Sequence, residues 1–261
     1  MIRHIPPTRE PSIEAALRPR FAGRNIGCVI HAFRSIPSTM DTAHDLAMKS
    51  APEGTLVWTE RQEQGRGRLG RSFESPAGGA YFSVVLRPLR PLSEIPQLSL
   101  VCGLAVAEAI EEATALFPAI RWPNDILLND RKVAGILVEA RAAATVVGIG
   151  VNVTTRVGDL PDEATSLAAL GAGHTTPYEL TATVCHRLEL WYDRWNAQGF
   201  PLIREALRPR MSFFGHPVQI SAGSISFQGI ASDLDETGRL LIRLDTGFVR
   251  PFEVGEVTLL R

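Results

Sequence analysis

Apolar positions recur along the chain with two periods, and each change of period marks a new element. Residues 26–33, 55–60 and 80–87 are short runs rich in β-branched and aromatic side chains, which predicts the first strands of a sheet. Between the first two, Ser38-Thr39-Met40-Asp41 has capping-box spacing and opens a helix that reaches Met48. Residues 96–117 carry apolar side chains at helical spacing, with Leu98, Val101, Ala105 and Ile110 inward and Glu108, Glu111 and Glu112 on a solvated face. A strand at 119–122 stops at Pro123. Residues 126–128 and 132–140 then flank Asn129-Asp130, a pair suited to a hairpin turn, and 145–153 supplies a further strand. Thr176-Pro177-Tyr178-Glu179 combines an N-cap, a proline at the first helical position and the capping-box glutamate, so a helix starts there and runs to about Ala197. A shorter helix follows at 201–207.

From Gly215 onward the texture changes to short alternating runs, at 218–221, 224–231, 240–244 and 248–251, separated by glycine and aspartate turns. That pattern predicts a small β-barrel-like unit. At the other end, residues 1–24 hold several prolines and little periodicity and are expected to form a loosely attached arm, with one short helical turn at 13–17. The chain therefore divides into an arm (1–24), a large α+β unit of mixed sheet and helices (25–211) and a small β unit (212–261).

Bulk properties narrow the function classes. The 261 residues are 45% hydrophobic, enough for a large core, and the net charge of -1 offers no global electrostatic footprint for DNA or RNA. Cys28, Cys102 and Cys185 are odd in number and far apart, which argues against a disulfide framework and for three small buried side chains in a reducing cytoplasm. No run is expected to be long and apolar enough for a membrane span, and residues 1–7 lack the apolar core of a signal peptide.

One stretch carries chemistry. Gln62-Glu63-Gln64-Gly65-Arg66-Gly67-Arg68-Leu69-Gly70-Arg71-Ser72-Phe73 alternates glycine with arginine between two strands, so a backbone that can approach a ligand closely carries guanidinium groups suited to phosphate and carboxylate. Such segments also occur as disordered nucleic-acid-binding tails, but this one is held at both ends by the sheet. Lys132 opens its strand directly after the hairpin turn, and Gly135 in mid-strand signals close approach of a ligand or another backbone. On its own, a lysine at that place is an ordinary solvated edge residue.

Together with Ser38-Thr39, the run from Arg121-Trp122-Pro123-Asn124-Asp125 to Lys132-Val133-Ala134-Gly135-Ile136-Leu137-Val138-Glu139, and Gly148-Ile149-Gly150-Val151-Asn152, this loop resembles the catalytic domain of biotin protein ligases from about Ile30 to the C-terminus. The resemblance implies a sheet of the class II synthetase and biotin/lipoyl ligase kind, followed by an SH3-like C-terminal domain. It implies an enzyme that uses ATP with magnesium to convert biotin into biotinyl-5'-AMP and then passes the biotinyl group to a lysine of a carboxylase's biotin carboxyl carrier domain, such as that of acetyl-CoA carboxylase. By the same resemblance Ser38, Thr39, Gln62, Gly65, Arg68, Lys132 and Gly135 meet biotin. Arg66, Arg68, Arg71, Phe73, Asn124, Lys132 and Asn152 meet the nucleotide, with Phe73 standing where tryptophan is common and covering the adenine. Lys132, Arg68 and Asp125 carry the catalysis, Asp125 by orienting or deprotonating the acceptor lysine. No dedicated metal ligands are implied, since the magnesium rides on phosphate oxygens and water. The short N-terminal arm leaves no room for the winged helix of ligases that also repress transcription, so no DNA partner is expected; a homodimer is compatible with the reading. The alternatives are a lipoate or octanoate ligase relative, against which the Gly/Arg loop and the Arg121–Asp125 motif argue, and a non-enzymatic biotin sensor.

Overall fold

Seven strands make one mixed sheet, and two of its faces are covered unequally. The computed structural model describes residues 8–141, 144–222 and 225–260. The first seven residues of the expected arm, Ser224 at the head of the expected 224–231 strand, and Arg261 lie outside the described residues. The helices are α1 (Pro11–Leu17), α2 (Thr39–Met48), α3 (Leu98–Thr114), α4 (Pro177–Gln198) and α5 (Pro201–Leu207). The strands β1 (Ile30–Ile36), β2 (Leu56–Gln62), β3 (Gly79–Leu86), β4 (Ala119–Arg121), β5 (Asp125–Leu128), β6 (Arg131–Arg141) and β7 (Ala144–Asn152) lie in the order β1-β2-β3-β7-β6-β5-β4. β1 and β2 run parallel because the chain between them crosses over through α2, and every other neighbouring pair is antiparallel.

β3 is buried along its whole length, which is why its sequence shows no alternation. Trp58, Phe82, Val84, Val147 and Ile149 belong to the large core that contains α3 and α4, whereas Val57, Val85 and Val146 pack with Met40, Ala43 and Ala47 of α2 on the opposite face. Beyond the end of α2 this second face is paved with small residues. The register sets Tyr81, Gly150, Gly135 and Asp125 in one row across β3, β7, β6 and β5, and Ser83, Gly148 and Leu137 in the next. That glycine-paved floor, covered by the loop after β2 instead of by a helix, is where a ligand can lie against the sheet.

Several expectations are corrected. Residues 9–21 are not a loose arm: Ile13, Leu17 and Phe21 are buried in the main core, Arg9 pairs with Glu14 at 2.6 Å, and Glu14 accepts the Ala32 N–H at 3.3 Å. The expected helical turn at 13–17 is present as part of α1, but it packs on β1 instead of hanging loose. The first strand begins at Ile30 rather than 26, because Gly27 N–H turns aside to the Gly54 carbonyl. Ser38 occupies the N-cap of α2 without a side-chain cap, and the Asp41 carboxylate, which would complete the other half of a capping box, pairs with Arg66. At Thr176 the capping box is complete, as expected. Glu108, Glu111 and Glu112 do not simply face water; they accept from Trp191, Arg210 and Arg187 and tie α3 to α4 and to the 3-10 turn that follows α5. Cys102 and Cys185 are buried, but Cys28 is exposed. Leu92–Thr114, a 3-10 segment running into α3, is in fact long and apolar enough to cross a membrane by length and composition, yet 72% of its apolar window is buried inside the protein.

The C-terminal unit is a five-stranded antiparallel sheet of β8 (Pro217–Ala222), β9 (Ile225–Leu234), β10 (Leu240–Leu244), β11 (Val249–Phe252) and β12 (Glu256–Leu259), in the order β11-β10-β9-β8-β12. It is not a closed barrel among the described residues. The chain turns at Glu253 to Gly255, and β12 pairs with β8 instead of with β11. β12, which the alternation did not reveal, borders the cleft of the large sheet through Glu256, Val257 and Thr258.

Candidate active site

The Gly/Arg loop leaves β2, folds back on itself and enters β3. Phe73 N–H donates to the Gly65 carbonyl, Gln62 N–H to the Ser75 carbonyl, and Arg66 bridges Ser72, so the loop is a tight hairpin whose base is fixed. Gly65 is required at this base, because a β-carbon there would stand 2.3 Å from the Phe73 carbonyl oxygen. Phe73 is thereby laid across the glycine floor: β-carbons at Gly150 and Gly135 would come within 2.5 and 3.0 Å of its ring.

Beside that ring, Lys132 stands with its Nζ 5.7 Å from the Phe73 centroid and 2.6 Å from Asp125 Oδ1. Asp125 Oδ2 takes Arg121 Nη2 at 2.7 Å, so one carboxylate is held between two cations. The backbone of Lys132 is fixed as well. Its N–H donates to the Glu163 carbonyl and its carbonyl accepts Thr165 N–H, both at 2.8 Å. Asn152 anchors that segment in turn by donating to the Thr165 carbonyl at 3.0 Å.

Arg68 donates to Asn124 Oδ1 at 3.1 Å and to the Gly255 carbonyl at 3.4 Å, spanning the cleft from the loop to the C-terminal unit. Burial pulls its pKa below the ordinary arginine value against the attraction of Asp125 and Glu256, and the guanidinium stays charged. Arg71 reaches the same unit through an ion pair with Glu256.

At the other end of the floor a polar relay is buried. Ser83 Oγ donates to Thr39 Oγ1 at 2.8 Å, Thr39 donates through both its N–H (2.9 Å) and its hydroxyl (3.1 Å) to Gln62 Oε1, and Gln62 Nε2 donates to Ser75 Oγ at 2.9 Å. The relay fixes which end of the Gln62 amide faces Thr39, since a backbone N–H must meet an oxygen. Met40 closes this end beneath Gly148, where a β-carbon would lie 2.6 Å from its sulfur.

Thr39, Gln62, Arg66, Arg68, Arg71, Phe73, Asn124, Asp125, Lys132 and Gly135 line one cleft. Three other expected residues are next to it without lining it. Gly65 serves the loop base, Asn152 is 3% exposed behind Lys132, and Ser38 is 1% exposed with a buried hydroxyl that has no hydrogen-bond partner among the described residues. Arg66 lines the cleft, but its guanidinium is held by Asp41 and Glu139. Ser75, Ser83, Glu139 and β12 were not foreseen. Glu139 was within reach, since it follows Gly135 by four residues and so shares its face of the strand; the others depend on chain reversals that leave no local signal. Of the carboxylates along the cleft, Asp125 and Glu256 are engaged by cations, and the described residues hold no group of three His, Cys, Asp or Glu side chains arranged for a metal.

Residues 32–155 match the Biotin/lipoate A/B protein ligase family, and residues 213–260 match the Biotin protein ligase C terminal domain. The chain is 36% identical over 230 residues to the biotin--[acetyl-CoA-carboxylase] ligase of Paracoccus denitrificans, covering 79% of this chain and 92% of that one. It is 35% identical over 248 residues to the bifunctional ligase/repressor BirA of Bacillus subtilis, covering 91% and 75%. The biotin protein ligase of Aquifex aeolicus in complex with biotin and ATP superposes with a TM-score of 0.78 at 31% identity, covering 90% of this chain and 99% of that one. Two fitting domains in the same order, and a full-length relative above 30% identity, lead to one conclusion: the chain belongs to the biotin protein ligases of the Biotin/lipoate A/B protein ligase family.

Proposed function

We propose that the cleft beneath the Gly/Arg loop activates biotin with ATP and hands it to a carrier lysine. The observation that carries this is the fixed cation at the head of a glycine floor: Lys132, 2.6 Å from Asp125, beside a ring that caps Gly135 and Gly150. A carboxylate lying along the floor has its ring end at Thr39 and Gln62 and its charged end at Lys132. A carboxylate oxygen then attacks the α-phosphorus, the bond to the bridging oxygen breaks, and pyrophosphate leaves with that electron pair. Lys132 and Arg68 neutralise charge on the carboxylate and the α-phosphate, and Arg71 faces the nucleotide side. Magnesium bound to the triphosphate supplies further charge neutralisation from the substrate side.

In the second half, the neutral amine of the acceptor lysine attacks the mixed anhydride carbonyl, the bond from that carbon to the phosphate oxygen breaks, AMP leaves with the electron pair, and the nitrogen's proton passes to solvent. Asp125 orients that amine; held between Arg121 and Lys132, it suits positioning more than proton removal. The acceptor is the biotin carboxyl carrier domain of acetyl-CoA carboxylase or a related carboxylase, in the cytoplasm. Residues 25–211 hold the floor and the loop, and residues 212–261 close the nucleotide side through Gly255 and Glu256. The test is formation of biotinyl-5'-AMP and pyrophosphate from biotin, ATP and magnesium, with transfer on addition of the carrier domain.

A further inference from the structure

Arg66 sits in the loop sequence as one more cation for phosphate, yet two elements of the protein, β6 and α2, converge on it. Its Nη1 and Nη2 reach the two oxygens of Glu139 at 2.9 and 3.3 Å, and Nη2 also meets Asp41 Oδ1 at 2.8 Å. Glu139 lies on β6, in the same row of the sheet as Val146 and on the face that carries Gly135. Asp41 lies in the first turn of α2. Glu139 Oε2 takes two more donors, His44 Nε2 at 3.1 Å from α2 and Arg141 Nη2 at 3.0 Å.

Because Arg66 also bridges Ser72, and Gly65 accepts from Phe73, holding Arg66 holds the hairpin that lays Phe73 on the floor. We infer that Glu139 is a positioning residue that clasps the Gly/Arg loop shut through Arg66 and so sets how long the acyl-adenylate is retained. This rests on the function proposed above. Glu139 and Asp41 differ in weight. The pair with Glu139 is two-pronged and three-quarters buried on the carboxylate side, while the Asp41 carboxylate is 54% exposed and screened by water. Glu139 itself is distant from the reacting atoms, at the far end of the floor from Lys132, so it acts through Arg66 and not on the substrate.

The test uses the full chain loaded with biotinyl-5'-AMP made from radiolabelled biotin, chased with excess unlabelled biotin and ATP. Glu139→Gln should release the labelled adenylate roughly tenfold faster than wild type, with labelling of bystander lysines rising in step, while Asp41→Asn changes release by at most about twofold. Pyrophosphate exchange should fall much less than retention, a split that general destabilisation does not produce. Glu139→Asp keeps the charge but shortens the reach, and should fall between wild type and Gln; it serves the same comparison if the Gln variant is poorly folded. Release within twofold of wild type in both folded Glu139 variants would overturn the clasp, as would equal effects of Glu139→Gln and Asp41→Asn. Wild-type protein that forms no adenylate would instead refute the proposed function, which keeps the two failures apart.

Discussion

Lys132 Nζ and Asp125 Oδ1 are 2.6 Å apart, and the same carboxylate holds Arg121 at 2.7 Å through its other oxygen. The ammonium is thus fixed in the cleft by an ion pair of the protein's own, at the place where the proposed reaction develops charge. Lys132→Ala should lower adenylate formation by about 10² to 10³ while leaving the melting transition close to wild type, because the side chain is partly exposed and outside the core. Pyrophosphate release measured with biotin and ATP checks this. An unchanged rate would remove Lys132 from the reaction.

Arg68 joins the loop to Asn124 and to the Gly255 carbonyl, so it closes the cleft from above. Arg68→Gly should speed dissociation of biotinyl-5'-AMP by about one to two orders of magnitude, as expected for loss of one charged hydrogen bond. Free adenylate would then label lysines on unrelated proteins. Retention equal to wild type would move the closing contact to Arg71, whose partner Glu256 is also on the C-terminal unit.

How far the sequence foretold these contacts depended on their range. Thr176 and Glu179 announce α4 because a capping box is complete within four residues. Asn129 and Asp130 announce their turn because both adopt positive φ, which few other residues tolerate. The Ser38 stretch had the same spacing, but the Asp41 carboxylate is taken by Arg66 from the loop after β2, a tertiary pull that no local pattern records. The Arg66 to Glu139 clasp spans 73 residues of chain and rests on strand register. β12 was hidden for a different reason: it is four residues long with half of them exposed, so it shows little apolar signal.

The segment before β1 offers a stability test. Leu17 is fully buried, with Ile13 and Phe21 in the same core, so Leu17→Ala should cost about 2 to 5 kcal/mol. A loosely attached arm would give a change near zero. Urea unfolding of the two proteins at equal m-value distinguishes these outcomes.

His44, on α2, is 4% exposed and packed against Glu139. Burial holds its imidazole below the ordinary histidine value, with Arg141 and Arg66 acting the same way and Glu139 opposing them. The unfolded chain takes up a proton near pH 6.5 and the folded protein only at lower pH. Stability contributed by the neutral ring is therefore complete above about pH 6.5 and is lost as pH falls from there through the folded value. His44→Gln should show a shallower loss between about pH 7 and pH 5.5, with His31, also lowered by burial, keeping part of the slope. Denaturant midpoints across that range give the comparison; a steeper slope in the variant would reverse the assignment.

The most direct measurement of the central claim is mass spectrometry of a biotin carboxyl carrier domain after incubation with the protein, ATP, magnesium and biotin. The account predicts a gain of one biotinyl group on a single carrier lysine, absent without ATP, lost with Lys132→Ala, and absent when lipoate replaces biotin. Lipoylation of the carrier, or an unmodified carrier in the presence of all three components, would contradict it.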